Sequence, residues 1–298
     1  VKKGLLTKDP YKLINDPEID IIVELAGDWP GVKDLILDSL RAGKSVVTAN
    51  KALLAKHGNE IFRTAQKHGR DVYYEASVCG TIPIIRVLRE GLAANRIESI
   101  YGIVNGTCNY ILTEMTQGRG DYNDILAKAQ AAGYAEAKPE ADVEGYDAAH
   151  KLALLLRLGF GVPVKLGEIH REGISKISSA DIMAAHHLGF VIKLLAIAKR
   201  TDSGLEARVH PTLVPENTPL ASVHSVYNAV YVQGNFSGPT LYYGQGAGQD
   251  PTASAVTGDI IELARCILKG ENPRRLPSGA YQDDHRPSFK VMPMKEIY

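Results

Sequence analysis

Asp147 and Lys151 stand four residues apart, so on a helix they share one face. Next to them Leu152, Ala153, Leu154, Leu155, Leu156 and Leu158 would surround the helix axis with apolar side chains, which requires much of that helix to be buried. On a solvated helix such a pair is an ordinary surface salt bridge worth little. On a buried helix the lysine can line an interior cleft, oriented by its carboxylate, and serve general acid–base transfer. Spacing alone leaves both readings open. The preceding stretch, Gly133 to Glu144, is dense in carboxylates and places Glu136 and Asp142 near the pair.

Ligands of open parallel sheets bind just beyond the carboxyl ends of the strands. Two such ends carry polar groups: Thr48-Ala49-Asn50-Lys51 and Glu75-Ala76-Ser77-Val78-Cys79-Gly80-Thr81. Lys51 could hold a phosphate or carboxylate, although a solvated lysine at a helix start is the commoner case. Carbonyls of a tight turn at Gly80, helped by Glu75, could hold a hard cation; the alternative is an ordinary loop with Glu75 bonded to backbone. The run Gly244-Gln245-Gly246-Ala247-Gly248 precedes a helix, where backbone can approach a ligand closely and phosphate is favoured. A complete G-x-G-x-x-G fingerprint does not occur. Cys79 has no base placed near it by sequence, and the histidines show no metal-ligand spacing.

The elements that must position these residues change character along the chain. Asp20–Leu25, Ser45–Thr48 and Val72–Ala76 read as strands, separated by helices at Val32–Leu40 and Lys51–His68. This alternation implies a parallel sheet with right-handed crossovers. Further on, strands are expected at Glu98–Val104, Leu205–Val214, Val226–Val232 and Thr240–Tyr243. They partly alternate, predicting a mostly antiparallel sheet with helices on one face. Helices are expected at Cys108–Thr116, Tyr122–Ala132 and Glu144–Leu158. A final helix should open at Asp250-Pro251, with Asp250 as N-cap, and run to about Leu268. The fold class is therefore α/β, with residues 1–85 and 250–270 expected to join in one parallel-sheet domain. Residues 86–249 are expected to form an α+β domain, and 271–298 a linker or tail.

With 298 residues, 45% of them hydrophobic, the chain can build a sizeable core. Thirty-four basic residues balance 34 acidic ones without a basic tract, which argues against a nucleic-acid or membrane-surface partner. No apolar run approaches the length of a membrane span. Three cysteines without CxxC spacing argue against a disulfide framework and fit a reducing cytoplasm. Asn105-Gly106-Thr107 matches the glycosylation pattern and is read as a chance occurrence.

Taken together, Val47 through Leu53, Tyr74 through Ile85, Gly102 through Leu112, Gly133 through Lys151, His210 through Leu213 and Gly244 through Gly248 resemble homoserine dehydrogenase in order and spacing. The resemblance runs from about Leu5 to Leu268, and Gly133–Lys151 is its most specific part. It implies a partial Rossmann-type cofactor domain joined to a substrate and dimerisation domain. It also implies reversible reduction of aspartate 4-semialdehyde to homoserine with NADPH or NADH, NADP being favoured, in threonine, methionine and isoleucine biosynthesis. By that resemblance Lys151 is the acid–base lysine, and Glu136 and Asp147 bind the substrate with Asp142 in support. Thr48, Lys51, Gly133 and Gly248 contact cofactor, and Lys51 also faces the substrate. Glu75 with the carbonyls of Val78, Gly80 and Ile82 matches a monovalent-cation site, usually sodium. A homodimer or homotetramer is implied. The family's first strand and glycine fingerprint would precede Val1, and a small regulatory domain would follow Tyr298. Lys138 departs from the pattern, standing before Pro139 where the family usually has Asp, Asn or Ser. An acylating semialdehyde dehydrogenase would instead need a reactive Cys beside a His, and a scaffold fragment would need no working cofactor cleft.

Overall fold

The computed structural model describes residues 5–27, 29–270 and 291–297. Of the expected tail at 271–298, residues 271–290 and 298 lie outside them, while Val291 bridges Leu205 and the Met292 N–H donates to the Leu205 carbonyl at 2.9 Å. Helix α1 (Pro10–Ile14) starts at Asp9, whose side chain accepts the Tyr11 N–H. Strands β1 (Ile21–Glu24), β2 (Ser45–Thr48) and β3 (Val72–Tyr73) form a parallel sheet in that order. Helices α2 (Val32–Arg41) and α3 (Lys51–Lys67) make the two crossovers. In β2 successive side chains point to opposite faces: Val46 packs with α2 and α3, and Val47 with Val256 and Leu263. The last two residues belong to a helix far along the chain, described below as α10. The sheet is thus covered on both sides, as a parallel sheet requires.

A short helix α4 (Ile84–Arg86), continued by a wider turn at Val87–Gly91, leads into the second sheet. Strands β4 (Ile97–Ile103), β5 (His170–Arg171), β6 (Phe190–Thr201), β7 (Gly204–Pro215), β8 (Tyr227–Gly234) and β9 (Gly238–Gln245) lie in the order β5-β7-β6-β4-β8-β9. All neighbours are antiparallel except β5 with β7. Helices α5 (Gly106–Thr116), α6 (Tyr122–Ala131), α7 (Glu140–Val143), α8 (Tyr146–Phe160) and α9 (Ser179–His187) complete this half, and α10 (Gln249–Leu268) returns to the parallel sheet. Ile192, Leu194, Ala196 and Ala198 of β6 join the same core as α8, while Leu195 and Ile197 join a smaller cluster on the other side. Among the described residues, no helix is long and apolar enough to cross a membrane.

Four expectations require correction. Strand β6 was not anticipated: its run VIKLLAIA is buried almost throughout, and a continuous apolar run does not separate strand from helix by period. Helix α8 begins at Tyr146 rather than Glu144, because Gly145 takes φ +76 and breaks it from α7. A side chain on Gly145 would press on Val209 and Arg171 at 3.2 and 3.3 Å, so glycine serves both the turn and the close approach. Strand β3 ends at Tyr73, where Glu75–Ser77 turns into a 3-10 helix. Finally, α10 starts one residue before Asp250, behind Gly248, and has no side-chain cap.

Candidate active site

Strand β4 delivers Val104 and Asn105 to the start of α5. Asn105 is the N-cap: its Oδ1 accepts the Cys108 N–H at 2.9 Å. The Nδ2 is left to donate to Asp142 Oδ1 at 2.8 Å and to Asp147 Oδ2 at 2.9 Å. Thr107 adds a contact to Asp142 Oδ2 at 3.2 Å. One helical turn beyond Asp147, the Lys151 ammonium donates to Asp147 Oδ2 at 2.7 Å and to the Val104 carbonyl at 2.6 Å. Lys51, the first residue of the helix that follows β2, reaches Asp147 Oδ1 at 3.0 Å. Asp147 is therefore gripped by two lysines, one from each half of the molecule.

The electrostatics follow from that grip. Burial works to lower the Lys151 pKa, but the Asp147 carboxylate more than offsets it and holds the ammonium above its ordinary value. Burial likewise opposes ionisation of Asp147, yet Lys151 and Lys51 keep its carboxyl well below the usual range. At neutral pH the pair is thus ionised, with a proton available on Lys151. Cys79 and Cys108 behave oppositely: both are buried, burial pushes Cys79 up to about 11 and Cys108 well above its usual value, and neither is a nucleophile.

A cleft of about 600 Å³ opens over Asp147. Glu24, Gly27, Asn50 and Lys51 line it from the carboxyl ends of β1 and β2, and Glu136, Lys138, Asp142 and His150 from the opposite wall. Thr252, in the first turn of α10, lines a third side. Strand ends meeting a helix start suit a phosphate-bearing cofactor. Lys51, Glu136, Asp142 and Asp147, all expected from sequence, meet here; Lys151 sits immediately behind Asp147.

Other expected residues stand elsewhere. Thr48 is fully buried; its hydroxyl donates to Glu24 Oε2 at 2.6 Å and accepts the Asn50 N–H at 3.0 Å. It shapes the cleft from behind rather than lining it. Gly133 is the left-handed residue after α6, at φ +76, and is exposed outside the cleft lining. Gly248 caps α10 at φ +125, three residues before Pro251, with Thr252 carrying that helix into the cleft.

Glu75, Val78, Gly80 and Ile82 are all buried around one turn. Cys79 and Gly80 are consecutive left-handed residues, at φ +60 and +53, and a side chain on Gly80 would lie 2.7 Å from the Gln245 carbonyl. The Glu75 carboxylate accepts the Ile85 and Arg86 N–H groups at 2.8 and 3.0 Å, and so caps α4. Its own N–H donates to Asp259 of α10 at 2.9 Å. Burial pushes Glu75 to about 7 and Asp259 to about 6. Among the described residues no group of three or more His, Cys, Asp and Glu could hold a metal, so a cation at this turn would rely chiefly on carbonyls.

Sequence reasoning missed Asn105, which bridges Asp142 and Asp147, and Glu24, held by Thr48 and the Ala26 N–H at 2.7 Å. The Asn-Gly-Thr stretch draws notice from sequence only as a chance match to the glycosylation pattern, whereas Asn followed by a helix carries the N-cap signal. Glu24 was legible as a carboxylate at a strand's carboxyl end.

A covered parallel sheet whose strand ends face a buried lysine–carboxylate pair has the two-part layout of a nucleotide-dependent enzyme with its own proton donor. The homoserine dehydrogenase profile matches residues 83–261, and the profile of the homoserine dehydrogenase NAD binding domain matches residues 1–75. Homoserine dehydrogenase of Pseudomonas aeruginosa is 48% identical over 97% of the chain and 67% of its own length. The crystal structure of a homoserine dehydrogenase from Thiobacillus denitrificans superposes with a TM-score of 0.91, at 49% identity, covering 97% of this chain and 67% of that one. A hyperthermophilic archaeal homoserine dehydrogenase, solved in complex with NADPH, superposes with a TM-score of 0.74 at 29% identity, covering 89% of this chain and 77% of that one. The chain belongs to the homoserine dehydrogenase family of NAD(P)-dependent oxidoreductases. It spans about two thirds of the length of the curated relatives it matches, 62% to 68% for the first five.

Proposed function

We propose that this chain carries the catalytic part of an enzyme that reversibly reduces L-aspartate 4-semialdehyde to L-homoserine, a step of threonine, methionine and isoleucine biosynthesis. The observation that carries this reading is the buried Lys151–Asp147 pair, of which Asp147 lines the cleft and Lys151 sits directly behind it. When bound, a reduced nicotinamide would supply the hydride that the aldehyde carbon takes up. Lys151 then gives its proton to the oxygen that gains charge, and takes it back in the reverse direction. Asp147, bonded to both lysines and to Asn105, fixes the ammonium and balances its charge. Glu136, which lines the cleft, holds the substrate's ammonium, with Asp142 in support. Lys51 stands between the cofactor strand ends and the substrate wall and serves both.

Residues 1–85 and 250–270 act as the cofactor unit, a reading supported by Val256 and Leu263 packing on Val47 and Tyr73. Residues 86–249 act as the substrate unit. NADP is the favoured cofactor, on the strength of the NADPH-bound relative, with Gly133 and Gly248 as further backbone contacts. Sodium is the favoured ion at the Val78–Ile82 turn, supported by its consecutive left-handed residues and burial. Self-association runs through the second sheet: Leu213, Leu241 and Tyr243 are half exposed, and Tyr243 stacks on Tyr227 at 5.0 Å. The test of the central reading is homoserine oxidation by the intact enzyme with NADP or NAD. No turnover of homoserine by a protein that still binds dinucleotide would refute it.

A further inference from the structure

The cleft holds two charged side chains that its catalytic machinery leaves uncommitted. Asp147 is bonded to Lys51, Lys151 and Asn105, and Asp142 to Asn105 and Thr107. Glu24 takes the Thr48 hydroxyl and the Ala26 N–H. Among the described residues, the Glu136 carboxylate and the Lys138 ammonium have neither an ion pair nor a side-chain hydrogen bond. They flank Ala137, are opposite in charge, and both line the cleft.

The backbone that carries them is held at both ends. The Glu136 carbonyl accepts the Gln130 side-chain amide at 3.0 Å, and the Pro139 carbonyl accepts the Asp142 N–H at 2.9 Å. Proline at 139 further restricts the backbone of Lys138. The two charges are therefore presented from a short anchored segment. An α-amino acid carries an ammonium and a carboxylate on one carbon, and a cleft lined by one uncommitted carboxylate and one uncommitted ammonium offers a partner to each.

We propose that Lys138 is a substrate-binding residue that takes the α-carboxylate of the amino-acid substrate, completing the zwitterion site begun by Glu136. This rests on the reading of Glu136 as the ammonium-binding residue. Lys138 adds affinity to the site begun by Glu136 rather than creating it, and its effect falls on KM. A charge-assisted contact at an exposed position is modest, so Lys138→Ala should raise the KM for homoserine roughly five- to twentyfold. Turnover should stay within about twofold, since the contact is made equally in ground and transition states.

The experiment measures homoserine oxidation by the intact enzyme and its Lys138→Ala and Lys138→Arg variants, with KM and kcat for both homoserine and the nicotinamide. In parallel, 3-aminopropan-1-ol, which lacks the carboxylate, is tested as a competitor of homoserine. The expected result is a raised homoserine KM in Lys138→Ala, recovery in Lys138→Arg, and a competitor inhibition constant unchanged by the substitution. An unchanged homoserine KM, an equal loss of competitor affinity, or a raised KM for the nicotinamide alone would each overturn the assignment, the last pointing to a cofactor phosphate instead. Wild-type turnover is the control: if the unaltered enzyme does not oxidise homoserine, the zwitterion site and the catalytic reading fall together, whereas the other outcomes overturn Lys138 alone.

Discussion

Among the described residues two lysines are buried in the second half of the molecule, Lys151 at 8% exposure and Lys193 at 2%. Lys151 meets a carboxylate and a carbonyl, and stays charged above its ordinary pKa. Lys193, in β6, meets only neutral oxygens: Asn109 Oδ1 at 3.0 Å and the Val223 carbonyl at 2.5 Å. Burial alone pulls it down to about 8. Burial sets a similar problem at both sites, and the nearest oxygen's charge decides the outcome. A buried ammonium with a carboxylate is a held proton. Without one it is a structural strut, here tying β6 and α5 to the loop before β8, whose Val223 and Ser225 carbonyls, with that of Tyr227 at the start of β8, also accept from Asn109.

The strongest test of this contrast replaces each lysine by methionine. In the intact enzyme Lys151→Met should lower turnover roughly 10²–10⁴-fold, the usual contribution of a positioned acid. Lys193→Met should leave turnover within about threefold, a barrier change below 1 kcal/mol. Steady-state kinetics in both directions, with dinucleotide binding followed by fluorescence, decides the matter. Equal losses in the two variants would erase the distinction.

Asp147→Asn makes the catalytic site resemble the structural one. It removes the charge that offsets burial of Lys151, so the ammonium pKa should fall. Breaking a buried pair in this way should slow aldehyde reduction by about 10²-fold, near 2.7 kcal/mol. The sign is fixed by direction: reduction needs the protonated lysine, so its rate should now decline as pH rises through a limb absent from the wild type below about 10. The same alkaline limb in both enzymes would show that Asp147 does not set the proton's affinity.

What could be read from sequence divides along similar lines. The i, i+4 spacing of Asp147 and Lys151 on an apolar helix was legible because helical geometry alone brings them together. The parallel strands were legible from their short apolar runs and alternating helices. Strand β6 was not, since burial on both faces removes the period that marks a strand. Nor was the role of Asn105, because its bonds to Asp142 and Asp147 join residues 37 and 42 positions away. Thr48 was expected at the cofactor; its burial behind Glu24 depends on how β1 and β2 pair, Glu24 lying beside Thr48 in register.

Lys193 makes a smaller prediction, in stability rather than rate. Its folded pKa is about 8, below the 10.5 of an exposed lysine, so between those values the unfolded chain binds more protons. Stability therefore rises with pH in that window and is penalised fully below it. The difference corresponds to at most about 3.4 kcal/mol, and roughly 2 after solvent relaxation around the charge. Denaturant midpoints measured at pH 8 and 10 on wild type and Lys193→Met isolate this contribution, because other titrating groups cancel between the two. Parallel pH dependences would show that Lys193 is not the group responsible.

The smallest expected effect comes from giving Lys193 the partner it lacks. In Asn109→Asp the new carboxylate oxygen would stand where Oδ1 now does, 3.0 Å from the ammonium. The Lys193 pKa should rise toward that of Lys151, flattening the stability slope between pH 8 and 10. Against this gain, the Asn109 amide donates to the Val223, Ser225 and Tyr227 carbonyls at 3.2, 3.0 and 3.1 Å, and a carboxylate cannot. Those carbonyls would lose a donor and face a negative charge, at a cost of about 1–3 kcal/mol that is comparable to the ion pair's gain. Net stability at pH 7 should consequently change by less than about 1 kcal/mol, and turnover by less than about twofold. The diagnostic is the slope, obtained from denaturant midpoints at several alkaline pH values. If stability still climbs from pH 8 to 10 as in the wild type, then a neighbouring carboxylate is not what separates the two buried lysines, and the comparison between them fails.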